Sequence, residues 1–141
     1  MDKIIFEYTD LNEEYALESA WAEKKGEFYE LRNILFYAYG YSFGDLVSVE
    51  NRNGELYVIG LVEESGHSTI RIIFYNDETV YTTSEHLQSM GCSFEGSNIP
   101  TLVSVDIPPN VNYSPIRKFL IEGEISDLWG FEEACLAHEL D

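Results

Sequence analysis

The chain opens with an alternation of period two: Ile4, Phe6 and Tyr8 alternate with Lys3, Ile5 and Glu7. That pattern predicts a strand with one buried face. Asp10 and Glu13 have capping-box spacing, which would open a short helix over residues 11–19. A loop is the preferred reading of that stretch. Residues 19–25 and 27–31, joined at Gly26, read as a hairpin with Trp21 and Phe28 as core candidates. Phe36, Tyr37, Tyr39, Tyr41 and Phe43 crowd a glycine-containing segment that reads as an irregular crossing packed on the sheet. The clearest hairpin joins residues 45–51 to 55–64, because Asn53-Gly54 tolerates the two positive φ angles of a type I′ turn. Val47 and Val49 share a face before that turn, and Leu56, Val58 and Gly60 follow it. Up to five short antiparallel strands thus fill the first half. A small, partly open barrel would bury one face of each and limit exposed edges.

The rhythm changes after His67. Residues 68–75 form a strongly apolar strand, and Asp77 starts a helix that runs through Met90 to a terminating Gly91. Residues 92–96 and 102–107 are two further strands, the second ended by Pro108-Pro109. Asn112 or Ser114 caps a second helix with Pro115 in its first turn, Ile116, Phe119 and Leu120 inward, and a stop at Gly123. The imperfect alternation of residues 129–136 reads as a last strand. Strand, helix, strand, strand, helix, strand is the ferredoxin-like order. The expected fold class is therefore α+β. A small antiparallel β-barrel-like half, residues 1–66, packs on a ferredoxin-like βαββαβ half, residues 67–141. No linker composition marks the join at Ser65-Gly66-His67-Ser68.

Composition sharpens this picture. A chain of 141 residues that is 45% hydrophobic and 14% aromatic can build a core and is not disordered. Twenty-six acids against eight Lys and Arg give a formal charge of −18. Such a charge repels phosphate backbones and anionic membranes, so neither nucleic acid nor a membrane is an expected partner. The acids are uneven. From Glu122 onward there are seven, ending at Asp141, and no Lys or Arg; the first 23 residues hold seven more against Lys3 alone. Met1 to Glu7 carries no basic region ahead of a long apolar run, and no stretch approaches membrane-spanning length. Cys92 and Cys135 lie far apart without paired spacing and read as buried free thiols. The cytoplasm is the expected location.

Candidate chemistry is sparse. His67 beside Ser68 suggests a nucleophile and its base, but adjacent residues of an extended chain point to opposite faces. A tight bend at Gly66, with His67 or Ser68 hydrogen-bonding the backbone at the join, is preferred; the pair also marks a possible ligand junction. Cys92 with His67 or His86 would make a Cys–His enzyme, against the plainer reading of a small buried hydrophobe. His67, His86 and His138 are scattered, so no metal site is expected, and no phosphate-cradling loop or other cofactor motif occurs.

Several segments together are familiar: Glu18-Ser19-Ala20-Trp21-Ala22-Glu23, Asn33 through Gly40, Gly44-Asp45-Leu46-Val47, Ser65 through Arg71, Gly91 through Gly96, and Glu132-Glu133-Ala134-Cys135. Across nearly the whole chain they resemble a bacterial domain of unknown function, family 4265. Leu35 stands where that family usually has proline. The resemblance implies no activity; it implies a small, stand-alone, cytoplasmic bacterial protein. Small acidic proteins of this kind look like the immunity partners of secreted toxins.

The leading expectation is a non-enzymatic binding protein that neutralises a basic toxin such as a nuclease. The expected contacts are Glu13, Glu14, Asp127, Glu132 and Glu133, with Tyr39 and Tyr41 as anchors, because Tyr is enriched at binding hot spots. The alternative is a small-molecule-binding regulatory domain, a homodimer with a pocket near His67. A hydrolase using His67 is the third. Monomer and homodimer both fit the sequence.

Overall fold

Residues 1–140 are described by the computed structural model; Asp141, the last acid of the C-terminal run, lies outside them. The opening alternation builds β1 (Asp2–Thr9), which buries Ile4 and Phe6. β2 (Tyr15–Lys25) pairs with it antiparallel, starting four residues before the stretch that reads as strand in the sequence. Neither the helix nor the loop expected over residues 11–19 therefore spans that stretch. The Asp10 carboxylate instead accepts the N–H groups of Asn12 and Glu14 at 2.8 and 3.0 Å, and Glu13 adopts φ 62°. Its capping chemistry closes a hairpin rather than opening a helix.

β2 also corrects the core assignment. Trp21 is half exposed, while Ala20 and Ala22 face in. Ile4, Phe6 and Leu31 on the neighbouring strands fill the interior, so the small face of β2 turns inward. A two-residue turn at Gly26 leads to β3 (Phe28–Leu31), where Tyr29 and Leu31 are the buried residues and Phe28 is only half-buried. β4 (Leu46–Arg52) and β5 (Glu55–Glu63) form the expected hairpin, with Asn53 at φ 54° and Gly54 at φ 91°. β5 then pairs parallel with β1 through Ile4–Leu56 and Ile5–Tyr57. Every strand of this first sheet thus has two neighbours.

The second sheet follows in the expected sequence of elements. β6 (Ser68–Phe74) is followed by a 3₁₀ turn (Asp77–Thr79) and α1 (Val80–Ser89). β7 (Ser93–Gly96), β8 (Leu102–Ile107), α2 (Tyr113–Ile125) and β9 (Trp129–Cys135) complete it. The four strands are antiparallel in the order β7-β8-β6-β9. Asn112 caps α2 by accepting the Ser114 N–H at 3.1 Å. Gly91, at φ 101°, ends the first helical stretch. α2 does not stop at Gly123; it runs on to Ile125. Gly123 is a packing position, because a Cβ there would lie 1.9 Å from the Trp129 ring. Ile116, Leu120 and Leu87 pack on Ile70, Ile72, Phe74 and Trp129 to form the second core.

The fold is thus α+β, with mostly antiparallel strands in two sheets and two helices. Between its two apolar cores lie buried polar residues: Ser42, Asp45, Thr69, Arg71, Ser104 and Asp106. Among the described residues no helix is long and apolar enough to cross a membrane.

Candidate functional site

The crossing between β3 and β4, residues 32–45, joins the two sheets and is held largely by its main chain. From β2, the Glu18 carboxylate accepts the successive N–H groups of Phe36, Tyr37 and Ala38 at 2.7, 3.0 and 2.9 Å. From β6, the Arg71 guanidinium donates to the carbonyls of Leu35 (3.3 Å), Tyr37 (3.1 Å) and Ala38. Arg71 is 2% exposed. A buried cation must be matched by acceptors, and here three carbonyls and Glu132 (3.4 Å) provide them. Ser104 Oγ donates to the Leu35 carbonyl at 2.7 Å, and Ser42 and Thr69 hydroxyls meet at 2.8 Å. These bonds bind the crossing to the face of the second sheet opposite its helices.

The crossing covers only part of that face. Where it ends, a groove of about 610 Å³ opens between the β1–β2 hairpin tip, the crossing, and β6 with β9. Such a volume is typical of ligand sites. One wall is aromatic: Tyr8 and Tyr37 stack with ring centres 5.8 Å apart and planes 10° from parallel. Tyr39 leans over Arg71 at 4.9 Å and donates its hydroxyl to Glu132 at 3.0 Å. Desolvation, then that bond to Glu132, raises the Tyr39 pKa, so the phenol stays a neutral donor. The floor is Ile73, Tyr75 and Gly130. Asp10, Glu124 and Glu132 supply the acids of the lining, and Arg71 is its single cation, with four of its five N–H groups already bonded.

The join between the sheets is filled with hydrogen bonds. His67 and Ser68 diverge, as neighbours in an extended chain must. His67 Nδ1 meets both oxygens of Asp106 at 2.9 and 3.0 Å, and its ring packs on Phe43. Burial pushes the Asp106 carboxyl up, and His67 pulls it back. Ser68 pairs with a different histidine, His138, at 2.6 Å. His138 Nε2 faces the Pro108 carbonyl at 2.8 Å and so carries the ring proton, which leaves Nδ1 to accept from Ser68. Ser68 Oγ also accepts the N–H groups of Ala137 and His138, at 2.8 and 3.2 Å, and is fully buried. A hydroxyl so occupied anchors the C-terminal tail and presents no attacking oxygen. Cys92 is buried, and its thiol is pushed up to about 11 by desolvation, with Asp106 adding to it. Among the described residues, no three His, Cys, Asp or Glu side chains gather to hold a metal ion.

Of the contact residues expected from sequence, Tyr39 and Glu132 meet in the groove. Glu13 and Glu14 follow Asn12 in the hairpin tip that overhangs it. Asp127 lies in the turn between α2 and β9, at φ 58°, beside Leu128, whose carbonyl accepts the Tyr75 N–H at 3.1 Å. Two residues go elsewhere. Glu133 faces the helices and accepts from the Tyr113 hydroxyl and Arg117. Tyr41 packs edge-on against Phe6, with ring centres 5.0 Å apart. Glu18, Ile73, Tyr75 and Gly130 escaped the sequence reading. A lone arginine inside the apolar run of residues 68–75 was the available signal, since such a cation has to grip something.

No curated protein matches the chain. It is similar to a crystal structure described as a hypothetical protein from Neisseria gonorrhoeae, with a TM-score of 0.88 and 21% identity. The likeness covers 97% of this chain and 96% of that one and, at such identity, concerns the fold. A family pattern matches residues 18–131, most of the chain, and this protein therefore belongs to the family described as a domain of unknown function, DUF4265.

Proposed function

We propose that the chain is a cytoplasmic, non-enzymatic acidic binding protein that neutralises a basic partner, an immunity-type inhibitor of a basic bacterial toxin such as a nuclease. The groove carries this reading: an exposed aromatic and aliphatic floor, rimmed by carboxylates, whose one cation is buried. A net charge of −18 would draw a basic protein in and raise its association rate by about 10–10³-fold. Tyr39, Tyr75 and Ile73 would then supply the desolvated centre that holds it. Glu13, Glu14 and Asp127 border the same region and extend the acidic rim. Two free cysteines suit a reducing compartment. On this reading the first five strands form a small barrel and the second sheet a ferredoxin-like sandwich. The closed pairing, the order β7-β8-β6-β9 and two helices packed on one face support that description.

The test is to mix the purified protein with the product of its neighbouring gene and titrate binding at low and high salt. A tight complex that weakens as salt rises is expected. No complex, or one indifferent to salt, defeats the proposal. A second reading, a regulatory domain that binds a small molecule as a homodimer, is favoured only by the groove's volume. Native mass spectrometry showing a bare monomer would count against it.

A further inference from the structure

We infer that the groove receives an extended basic segment of that partner, with a Lys or Arg side chain beside Tyr39 and Glu132 and the next apolar side chain seated on Ile73 and Gly130. This inference rests on the binding reading above. The register of β6 and β9 sets Arg71 opposite Glu132 and Ile73 opposite Gly130 on one open face. Gly130 leaves a notch in that face. A Cβ placed there would meet only the Tyr75 hydroxyl, at 3.4 Å, so the notch is open space beside an aromatic wall. Ile73 is 56% exposed, Tyr75 64% and Tyr39 51%. Large side chains left this open, side by side in one groove, mark an interaction surface.

Charge selects the occupant. Arg71 is 2% exposed and already gives four of its five N–H groups to Leu35, Tyr37, Ala38 and Glu132, so it offers a phosphate or carboxylate no exposed bidentate fork. Glu132 accepts one bond from Tyr39 and a long one from Arg71, and a carboxylate holds about four acceptor positions. It can take further donors from a guanidinium or ammonium. Half-exposed Tyr39 offers a ring beside the same carboxylate, the pairing that suits an organic cation. Asp10 and Glu124 repel an acidic segment from either side of the groove. The alternation of side chains along an extended peptide matches the step from Glu132 to Gly130, two residues apart on one face of β9.

Fluorescence anisotropy with a labelled peptide alternating Arg and Leu tests this, with the Glu–Leu peptide as its counterpart. The full-length protein should bind the first and not the second. Gly130→Leu fills the notch and Glu132→Gln removes the charge while keeping an acceptor for Tyr39. Each should weaken binding about tenfold, equivalent to about 1.4 kcal/mol. Should Gly130→Leu melt early, Tyr75→Ala replaces it and should weaken binding likewise. Equal binding of both peptides, or unchanged affinity in the variants, overturns the inference. A partner complex that survives Gly130→Leu leaves the neutralising reading standing and removes the groove from it. Peptide binding without any partner complex does the reverse.

Discussion

Replacing Gly123 with alanine sets two effects against each other. Gly123 lies inside α2, where alanine is favoured over glycine by about 1 kcal/mol. The new methyl would sit 1.9 Å from Cζ2 and 2.2 Å from Cε2 of Trp129. That ring has no room to retreat. It is buried, it packs against Phe74 and Phe119 with centres 5.6 and 5.5 Å away, and its Nε1–H donates to the Leu120 carbonyl at 3.0 Å. Forcing a methylene into such a core costs about 1–3 kcal/mol, and the overlap here puts the cost at the upper end. Losing the Trp129 hydrogen bond adds about 1 kcal/mol. The propensity gain offsets about 1 kcal/mol, leaving a net loss of about 3 kcal/mol. Urea unfolding followed by tryptophan fluorescence should show the midpoint falling by roughly 1 M or more at an ordinary slope. A midpoint equal to or above that of the wild type would refute the packing argument. In a Trp129→Phe background, where the overlapping ring atoms are gone, Gly123→Ala should cost much less; equal cost in both backgrounds would mean that the ring is not what the methyl meets.

Three further outcomes are expected. Arg71→Met removes the side-chain donor of the Tyr37 and Ala38 carbonyls and leaves Leu35 with Ser104 alone, and should destabilise by about 3 kcal/mol or more, read from thermal melts; a loss within error would show that water replaces the guanidinium. Asp106 has its folded-state pKa raised, first by burial, above the ordinary 3.8. Its contribution to stability is therefore full below that value and is lost as pH rises through the raised one, so Asp106→Asn should flatten the stability curve across that mildly acidic window. The Cys92 thiol, buried and pushed up to about 11, should resist a thiol reagent at neutral pH until the protein unfolds, whereas Cys135 should react first; prompt labelling of Cys92 would contradict its burial.

Local chemistry was the legible part of this sequence. Asn53-Gly54 announced its hairpin because few dipeptides accept two positive φ angles, and Asn112 announced α2 because the cap needs a short acceptor. The misses share one cause: each was decided by a neighbour on a different element. Gly123 looks like a helix stop until Trp129 fills the space above it. Trp21 looks like core until the partners of β2 are known to fill the interior, which leaves room only for Ala20 and Ala22. Tyr39 and Tyr41 are indistinguishable in sequence, two residues apart, yet one meets Glu132 and the other Phe6. The groove assembles from six separated segments, so only its individual residues were visible beforehand. Its notch is made by the absence of a side chain, at Gly130, which a search for chemical groups passes over.

The crossing is gripped by Glu18 at its amides and by Arg71 at its carbonyls. Those are atoms that every residue type possesses. The bonds that fix the main chain of this wall therefore do not depend on which side chains stand at half-buried Tyr37 and exposed Tyr39. Substitution there would present a different chemistry on an unchanged frame, in the way that a loop scaffold diversifies its tips. If this wall is the recognition surface proposed above, what it binds can drift while its framework stays put.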